Sequence, residues 1–574
     1  MPFGYHGNYL RIDVSRGKGE HVPIDDTVLR RFIGGSGLGA YILLDEGKAH
    51  ADALAPEAPL VFAFSPLVGS PLTTSAKFAV VSKSPLTGRI NDSLASSGFA
   101  ITGKSCGCDA IVIVGRAPEL SVLIIDDAGV RLESAAEQRG ATCRETEASL
   151  RARLGASYRI ASIGPAGENL VRYATISHDG RHAGRGGSGA VLGAKNIKAI
   201  AVRGSKRPEW AHPAELTALS KDLSKRSLGP ATAKYRELGT ATNLVTFNRF
   251  GALPTRNFQS GTFDEAANLS PQELGATRSK TRESCMTCTI GCEHIYGGVR
   301  VEYESLFALG SLCGIGDADF VLRASQRCDE LGLDTISTGG TIAFAMECVE
   351  RGWLDQPWLK FGSGEAMMRA IDLIGASSDP LGKLLARGSR SMALEIGHNS
   401  ISIAPQVKGL EIPGYEPRAL QTMALGFAVG ARGADHNRSG AYEVDFSDKV
   451  DRRHITLDAV RHAIETEDKA ALMDSLIICK FLRGVLKDFY GEAAQMLWSV
   501  TGWDVTCDEL HETARRIVSA KRQFNLLAGW TPEEDTLPDR FLNTPLPNDP
   551  AASLSRERLG DLVAEYHRQR GWHP

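Results

Sequence analysis

The stretch DADFVLRASQRCDELGLDTISTGG (residues 317–340) passes from one helical pattern to the next with almost no loop between them. Phe320, Ala324, Cys328 and Leu331 share one helical face, and Gly332 follows as the residue that ends the helix. The pattern resumes in ISTGGTIAFAMECVERGW and stops at Gly352. A second stretch, DSLIICK (474–480), echoes DELGLDT (329–335). In each, Asp is followed by Leu two positions on and an aliphatic residue four on, with Asp334 or Cys479 at five. Either two helix ends resemble each other by chance, or both turns serve two copies of one ligand.

Helical spacing continues through GEAMMRAIDLIG, LGKLLARGSRSMALEIG, KAALMDSLIICKFLRGVL and RERLGDLVAEYHRQRGW to the C-terminus. The first two hundred residues differ. NYLRIDVSRGKGEHVPI, APLVFAFSPLVG, KFAVVSKS, DAIVIVGRA and LSVLIIDDAGVRLES are short β-branched runs closed by Gly, Pro or Asp. Within them a helix is predicted over 26–44, interrupted by GGSGLG, and another in RETEASLRARLG with Gly155 as its stop. A basic, Pro-containing linker near 205–213 separates the strand-rich part from the helical one. The fold class is therefore α+β.

A chain of 574 residues is too long for one ordinary core. With 43% apolar and 23% charged residues it has the composition of a folded protein, and a net charge of −3 argues against general nucleic-acid binding. The start MPFGYHGNYLRIDV lacks the pattern of a secretory signal, and no apolar run is long enough for a membrane span. The expected location is cytoplasmic, with the eleven cysteines reduced.

Three of those cysteines, Cys285, Cys288 and Cys292, crowd into ESCMTCTIGCEH (283–294). Zinc sites usually pair two C-x-x-C units or two cysteines with two histidines. A c-type haem would need His where Thr289 stands, and a radical-type cluster that binds S-adenosylmethionine uses the reverse spacing. An iron–sulfur cluster with three local thiolates and one distant one survives best, with zinc and plain buried thiols as alternatives. Cys106, Cys108, Cys143, Cys313, Cys328, Cys348, Cys479 and Cys507 are candidates for the fourth ligand. Cys479 stands out because it fills the last slot of the echo. The Gly-rich segments GGSGLGA and HAGRGGSGAVLGAKN fit neither a P-loop nor a dinucleotide fingerprint and read as tight turns. Arg181 and Arg185 beside the second could still hold phosphate oxygens.

Several longer stretches, taken together and in order along nearly the whole chain, resemble one family. IASIGPAGENLVRYATISHDGRHAGRGGSGAVLGAKNIKAIAV, EYESLFALG, CDELGLDTISTGGTIAFAMECVERG, SKSPLTGRI, TLPDRFLNTPLP and the C-x-x-C-x-x-x-C are similar to the tungsten-containing aldehyde:ferredoxin oxidoreductases. The resemblance implies an N-terminal domain (1–208) of two twisted sheets forming a base for two pterins. Two mostly helical domains (209–405 and 406–574) would close over it. It implies tungsten, or molybdenum, held as a bis-molybdopterin, Mg between the pterin phosphates, and a [4Fe–4S] cluster on Cys285, Cys288, Cys292 and Cys479. The pterin-binding turns would be Asp329, Leu333, Asp334 and Thr335 in one copy and Asp474, Ile478, Cys479 and Lys480 in the other. Lys77, Ser93, Leu94, Ala95, Ser96, Arg181, His182, Ala183 and Arg438 complete the implied cofactor site.

The implied reaction converts an aldehyde and water to a carboxylic acid and sends electrons to ferredoxin or a ferredoxin-like subunit. Glu304 would serve as general base or proton acceptor, and His436 would donate a hydrogen bond to the substrate carbonyl. The chain also departs from the family pattern. Leu94, Ala95, Ser96 and Ser97 fill a loop expected to be Gly-rich, Lys77 and Arg438 exchange the family's Arg and Lys, and Ile477 replaces a Gly in the second turn. Arg323 and Gln326 stand where the family has a metal-binding Glu-x-x-His, so a homodimer would lack that bridging metal. Cys106 and Cys108 read as buried thiols, with an extra metal or redox role as the alternative. Two other readings stay open: the same scaffold acting on a 2-hydroxy acid or an aromatic acyl thioester, and a cluster-bearing electron-transfer subunit with an altered pterin site.

Overall fold

In strand Leu60–Ala63, Leu60 and Phe62 point to one side and Val61 and Ala63 to the other, and all four are buried. A strand that is apolar on both faces must be covered on both, and this requirement organises the N-terminal half. The computed structural model describes residues 2–572. One six-stranded sheet runs in the order Lys18–Pro23, Asn8–Asp13, Ala110–Val114, Leu60–Ala63, Lys77–Lys83, Ile90–Ser96. A second runs Arg181–Ala183, Ile176–His178, Arg159–Ser162, Ile197–Val202, Ser121–Asp126, Gly129–Ser134. Between them Phe62, Phe78 and Phe99 pack with centroids 5.2 to 6.1 Å apart, joined by Ile113, Leu123 and Ile200. On the outer face Val61, Val81 and Val112 pack against Leu38 and Ile42 of helix Gly35–Asp45.

The Gly-rich segments are not simple turns. Helix Asp26–Phe32 ends at Ile33 (φ 62°), and GSGLG then forms the first turn of the helix Gly35–Asp45. Glycine there permits close packing: a Cβ on Gly39 would stand 2.4 Å from a Val81 methyl. In GRGGSG only Gly186 and Gly187 turn, at φ 85° and 82°, before helix Ser188–Ala194 begins. NDSLASSGF is likewise not a loop. Ile90–Ser96 is an edge strand paired with Lys77–Lys83, Lys77 opposite Ser96, and Ser97 caps the next helix by accepting from Phe99 N–H.

The helical half contains a three-stranded sheet, Lys280–Glu283, Glu293–Tyr296 and Val299–Val301, that helical periodicity does not reveal. Its signal is the Gly297-Gly298 pair, both at positive φ, which closes a two-residue hairpin between Tyr296 and Val299. The cysteine segment is the connection between its first two strands. One large core takes Phe247 and Phe307 together with Met423 and Phe541, and a second joins Leu216 and Leu219 to Leu472, Leu476 and Ile478.

The two echoing segments have the same backbone. Helix Ala318–Leu331 ends at Gly332 (φ 75°, ψ 49°), and Leu333 N–H donates to Cys328 O at 2.8 Å. Helix Asp458–Leu476 ends at Ile477 (φ 66°, ψ 33°), and Ile478 N–H donates to Met473 O at 2.9 Å. Both are left-handed helix ends closed by the same backward bond. The β-branched Ile477 holds this conformation at a cost of about 1–3 kcal/mol and is kept there by burial against Gly35.

Each turn is seated on one sheet. Thr175 N–H donates to Gly332 O (2.8 Å) and Asp334 N–H to Tyr173 O (3.2 Å), holding the first turn to the second sheet. Ser65 Oγ donates to Leu476 O (2.7 Å) and Gly37 N–H to Ser475 Oγ (3.0 Å), holding the second turn to the first sheet and its helix. Beneath each lies a glycine with no room for a side chain. A Cβ on Gly164 would meet Leu331 O, and one on Gly35 would meet Asp474 O, each at 2.3 Å. Gly164→Ala and Gly35→Ala are each expected to lower unfolding free energy by about 1–3 kcal/mol. Gly560→Ala, in an open stretch of helix Arg556–Arg570, should instead raise it by about 0.5–1 kcal/mol, as urea denaturation would read.

Candidate active site

A cavity of about 820 Å³ lies between the two turns, the edge strand Ile90–Ser96 and the cysteine hairpin. Among the residues singled out from sequence, Lys77, Ser93, Leu94, Ala95, Ser96, Arg181, His182, Asp329, Leu333, Asp334, Thr335, Arg438, Asp474, Cys479 and Lys480 line it. So do Glu304, His436, Cys285, Cys288 and Cys292. Two others do not. Ala183 is opposite Ile176 in the second sheet and faces the core between the sheets, and Ile478 is buried with Leu476 and Leu482.

The four thiols reach the cavity from two directions. Thr74 ties them: its N–H donates to Thr287 O (3.0 Å) in the cysteine loop, and its hydroxyl accepts from Cys479 N–H (3.3 Å). Burial pushes the Cys288 and Cys292 thiols up, and the neighbouring cysteines, Cys479 foremost, push the same way. Deprotonating them thus requires a bound cation. Among the described residues no three His, Cys, Asp or Glu side chains converge on one point. Cys106 and Cys108 lie elsewhere, below the first sheet, where burial pushes Cys106 up to about 12 and Cys108 is fully enclosed. Cys108 is a buried thiol and Cys106 a half-buried one, and both are protonated at neutral pH.

Charge on the floor of the cavity is dense and nearly balanced. Asp92 is buried against Lys521 (2.7 Å), with Arg432 and Arg438 each 3.9 Å away. Burial drives its carboxyl up, but those three cations outweigh it and hold the group at about 2. Arg438 also pairs with Asp474, which Lys480 approaches to 2.8 Å. Arg185 lies 3.5 Å from Asp334 and 3.9 Å from Asp435. Yet Arg185 Nε, Arg438 Nε and both Nε and Nη2 of Arg432 are buried without a hydrogen-bond partner. Unfilled guanidinium donors facing a cavity are suited to an anionic ligand such as a phosphate ester. The edge strand adds backbone groups to the same wall, so Leu94 and Ala95 do not close it to a ligand as side chains in a tight loop would. Sequence reasoning missed Asp92, Arg432, Asp435 and Lys521. Residues 92 and 521 are brought together only by the fold, and neither belongs to a local motif.

At another part of the wall Glu304 and His436 face each other, Glu304 Oε1 lying 3.6 Å from His436 Nε2. Glu304 sits in the first turn of helix Tyr303–Leu309 and accepts from Gly414 N–H at 3.0 Å through Oε2, while Oε1 has no partner. Burial raises its carboxyl to about 8, against the pull of that N–H. His436 begins a short helix capped by Asp435 and stacks on Tyr415 at 4.8 Å. Burial lowers its pKa to about 3, so the ring is neutral. Asn437 Nδ2 donates to His436 Nε2 (2.9 Å), which places the ring proton on Nδ1, a buried atom with no partner. The site thus holds a neutral acid and a neutral donor, each with one free position. Arg323 and Gln326, by contrast, lie on the far surface, where Gln326 bonds Glu330 and Arg323 covers the Phe320 ring.

Comparison with known proteins adds two matches to family models. Residues 9–204 match the N-terminal domain of aldehyde ferredoxin oxidoreductase, and residues 219–574 match its domains 2 and 3. The chain is 36% identical to the tungsten-containing aldehyde ferredoxin oxidoreductase of Pyrococcus furiosus, over 99% of this chain and 96% of that protein. It is 37% identical to the protein of the same description from Thermococcus kodakarensis, over the same shares. Among solved structures, the active site complex BamBC of benzoyl coenzyme A reductase superposes with a TM-score of 0.84 at 23% identity, covering 100% of this chain and 95% of that one. That likeness is one of fold: strand-rich base first, mostly helical remainder after.

The two shifted groups give a measurable signature. Glu304 binds its proton more tightly folded, at about 8, than at the ordinary value of 4.5, so its contribution to stability is lost as pH rises across that window. His436, lowered from 6.5 to about 3, acts only below pH 6.5, where stability rises with pH. Between pH 6.5 and 8, stability in urea should therefore fall more steeply for the wild type than for Glu304→Gln. Parallel curves would place the Glu304 pKa near its ordinary value.

Proposed function

The chain belongs to the aldehyde ferredoxin oxidoreductase family, and from that premise we propose that it oxidises an aldehyde with water to the carboxylic acid, passing two electrons to a ferredoxin-type acceptor and two protons to solvent. The observation that carries this reading is the pair of buried, unpartnered atoms, Glu304 Oε1 and His436 Nδ1, at one wall of a cavity large enough for a bulky cofactor. A tungsten bis-pterin, or its molybdenum counterpart, would supply two-electron acceptance when bound, and an iron–sulfur cluster would pass those electrons on one at a time.

The residues for each part are those the family resemblance implies, and the cavity that most of them line supports that reading. Asp329, Leu333, Asp334 and Thr335 would hold one pterin, and Asp474, Lys480 and the backbone beside Ile478 the other. Arg185, Arg432 and Arg438 would take phosphate oxygens, with Mg between the two phosphates. Cys285, Cys288, Cys292 and Cys479 would hold a [4Fe–4S] cluster directly beside the second pterin turn. Lys77 keeps a positive charge at the junction without the planar fork of an arginine. Ile477, which replaces glycine, keeps the left-handed turn, so that substitution does not by itself remove a pterin seat. Arg323 and Gln326 offer no anionic pair for a metal between copies, and a homodimer would rest on other contacts. No helix among the described residues is long and apolar enough to cross a membrane.

His436 donates Nδ1–H to the aldehyde oxygen and stays neutral throughout, because burial opposes its protonation. This hydrogen bond draws electrons from the carbonyl carbon and favours attack by water. Glu304 must first release its own proton, at about pH 8, and the carboxylate then takes one from the attacking water. Low dielectric around both groups strengthens these interactions relative to water.

Anaerobically purified protein should contain tungsten or molybdenum and pterin, and should reduce a viologen dye on addition of an aldehyde. The rate is expected to rise with pH to a plateau past about 8, and Glu304→Gln to lower kcat by about 10²–10⁴-fold and remove that rise. Cys479→Ser should lower bound iron and bleach the broad visible absorption. Unchanged iron content would move the fourth cluster ligand to another residue.

A further inference from the structure

From the cavity wall at His436 a chain of aromatic rings leads to solvent. Tyr415 stacks on His436 with centroids 4.8 Å apart, Phe247 meets Tyr415 at 5.0 Å, and Phe446 meets Phe247 at 5.4 Å. Phe250 meets Phe446 at 5.5 Å, and Tyr442 packs on Tyr415 at 5.1 Å. Tyr415, Phe247, Tyr442 and Phe446 all line the cavity. The outermost pair is open to water, with Phe250 45% and Phe446 40% exposed. Two adjacent phenylalanines that exposed, continuous with a buried ring path, exceed what packing of the helical core requires.

The rings come from two parts of the chain. Phe247 lies on helix Asn243–Arg249, and Phe446 directly follows the helix Tyr442–Asp445, a few residues beyond His436. Two cations along this path are already engaged. Arg483 pairs with Glu443 and lies 5.6 Å over the Tyr442 ring, and Lys234 donates to Asn243 Oδ1 at 2.8 Å. Rings at every step suit a planar, apolar molecule, which can stack or meet ring edges there.

We propose that Phe247, Tyr415 and Tyr442 seat the aryl ring of an aromatic aldehyde, with Phe250 and Phe446 forming an apolar mouth through which it enters. The assignment rests on the aldehyde-oxidising reading above and names the substrate class for that same site. A ring lying against the cavity sides of Phe247 and Tyr415 would bring its carbonyl substituent toward His436 and Glu304. A small aliphatic aldehyde would leave most of the seat unfilled.

The test compares benzaldehyde with acetaldehyde in the anaerobically purified holoenzyme, using viologen reduction. Wild type should favour benzaldehyde in kcat/KM by about tenfold or more. Phe446→Ala, at an exposed position that tolerates truncation, should lower the benzaldehyde-to-acetaldehyde ratio severalfold, and Phe247→Ala about tenfold, both chiefly through KM. A wild-type ratio near one, or equal losses on both substrates, overturns the proposal. Binding of 4-fluorobenzyl alcohol, a neutral aryl probe, followed by broadening of its fluorine resonance, provides a separate reading. Broadening by wild type that Phe446→Ala and Phe247→Ala both weaken supports the aryl seat even if neither aldehyde is oxidised, in which case only the oxidation reading falls. Broadening that neither variant changes, or none at all, overturns the seat.

Discussion

Everything in the cavity depends on the close approach of two helix-ending turns to two sheets. Each turn ends a helix in a left-handed residue and places its next side chains toward a common space. Gly164 and Gly35 lie beneath the carbonyls of Leu331 and Asp474 with no room for a Cβ. Ser65 Oγ and Thr175 N–H then fix the turns by hydrogen bonds to Leu476 and Gly332. Had either sheet met its turn through ordinary side-chain packing, the turn would stand farther off, and Asp334 and Cys479 would no longer face the same cavity. The strained φ of Ile477 fits this picture, since a conformation that costs energy persists only where its surroundings over-determine it.

A second constraint is electrostatic. Asp92, Asp435 and Asp474 are buried beside Arg432, Arg438, Lys480 and Lys521, a concentration of charge that desolvation alone would make prohibitive. Mutual pairing offsets most of that cost. What remains is a set of guanidinium N–H groups without partners, and these mark the floor as a place for an anion. The wall at Glu304 and His436 has the opposite character. It is aromatic, and both titratable groups are neutral there because burial outweighs the Gly414 N–H and Arg185 at Glu304 and Asp435 at His436. One cavity thus offers an ionic floor for a cofactor and an apolar approach for a substrate.

Much of this was legible in the chain. Helix Ala318–Leu331, its stop at Gly332 and the restart in helix Thr335–Glu350 follow from spacing that only a helix satisfies. The likeness between 329–335 and 474–480 appears in the structure as two left-handed helix ends closed by the same backbone bond, which selects similar residues at both. The three-stranded sheet around the cysteine loop escaped helical periodicity because its strands are only three or four residues long and exposed on the first strand. The Gly-rich segment before residue 40 was ambiguous for a related reason. Glycine marks both a turn and a close approach, and only the partner across the gap, here Val81 and Asp474, tells which.

The sequence by itself determined the α+β layout, the three clustered thiols, the paired turns and the family. These are encoded by residues close together along the chain, where period, spacing and turn chemistry act locally. Only the tertiary structure decided that Asp92 meets Lys521 and that the edge strand Ile90–Ser96 presents its backbone to the cavity. It also decided that rings from residues 247, 415 and 446 line up toward His436. Such contacts join residues hundreds of positions apart. Their geometry depends on how whole sheets and helices pack, which no local pattern records.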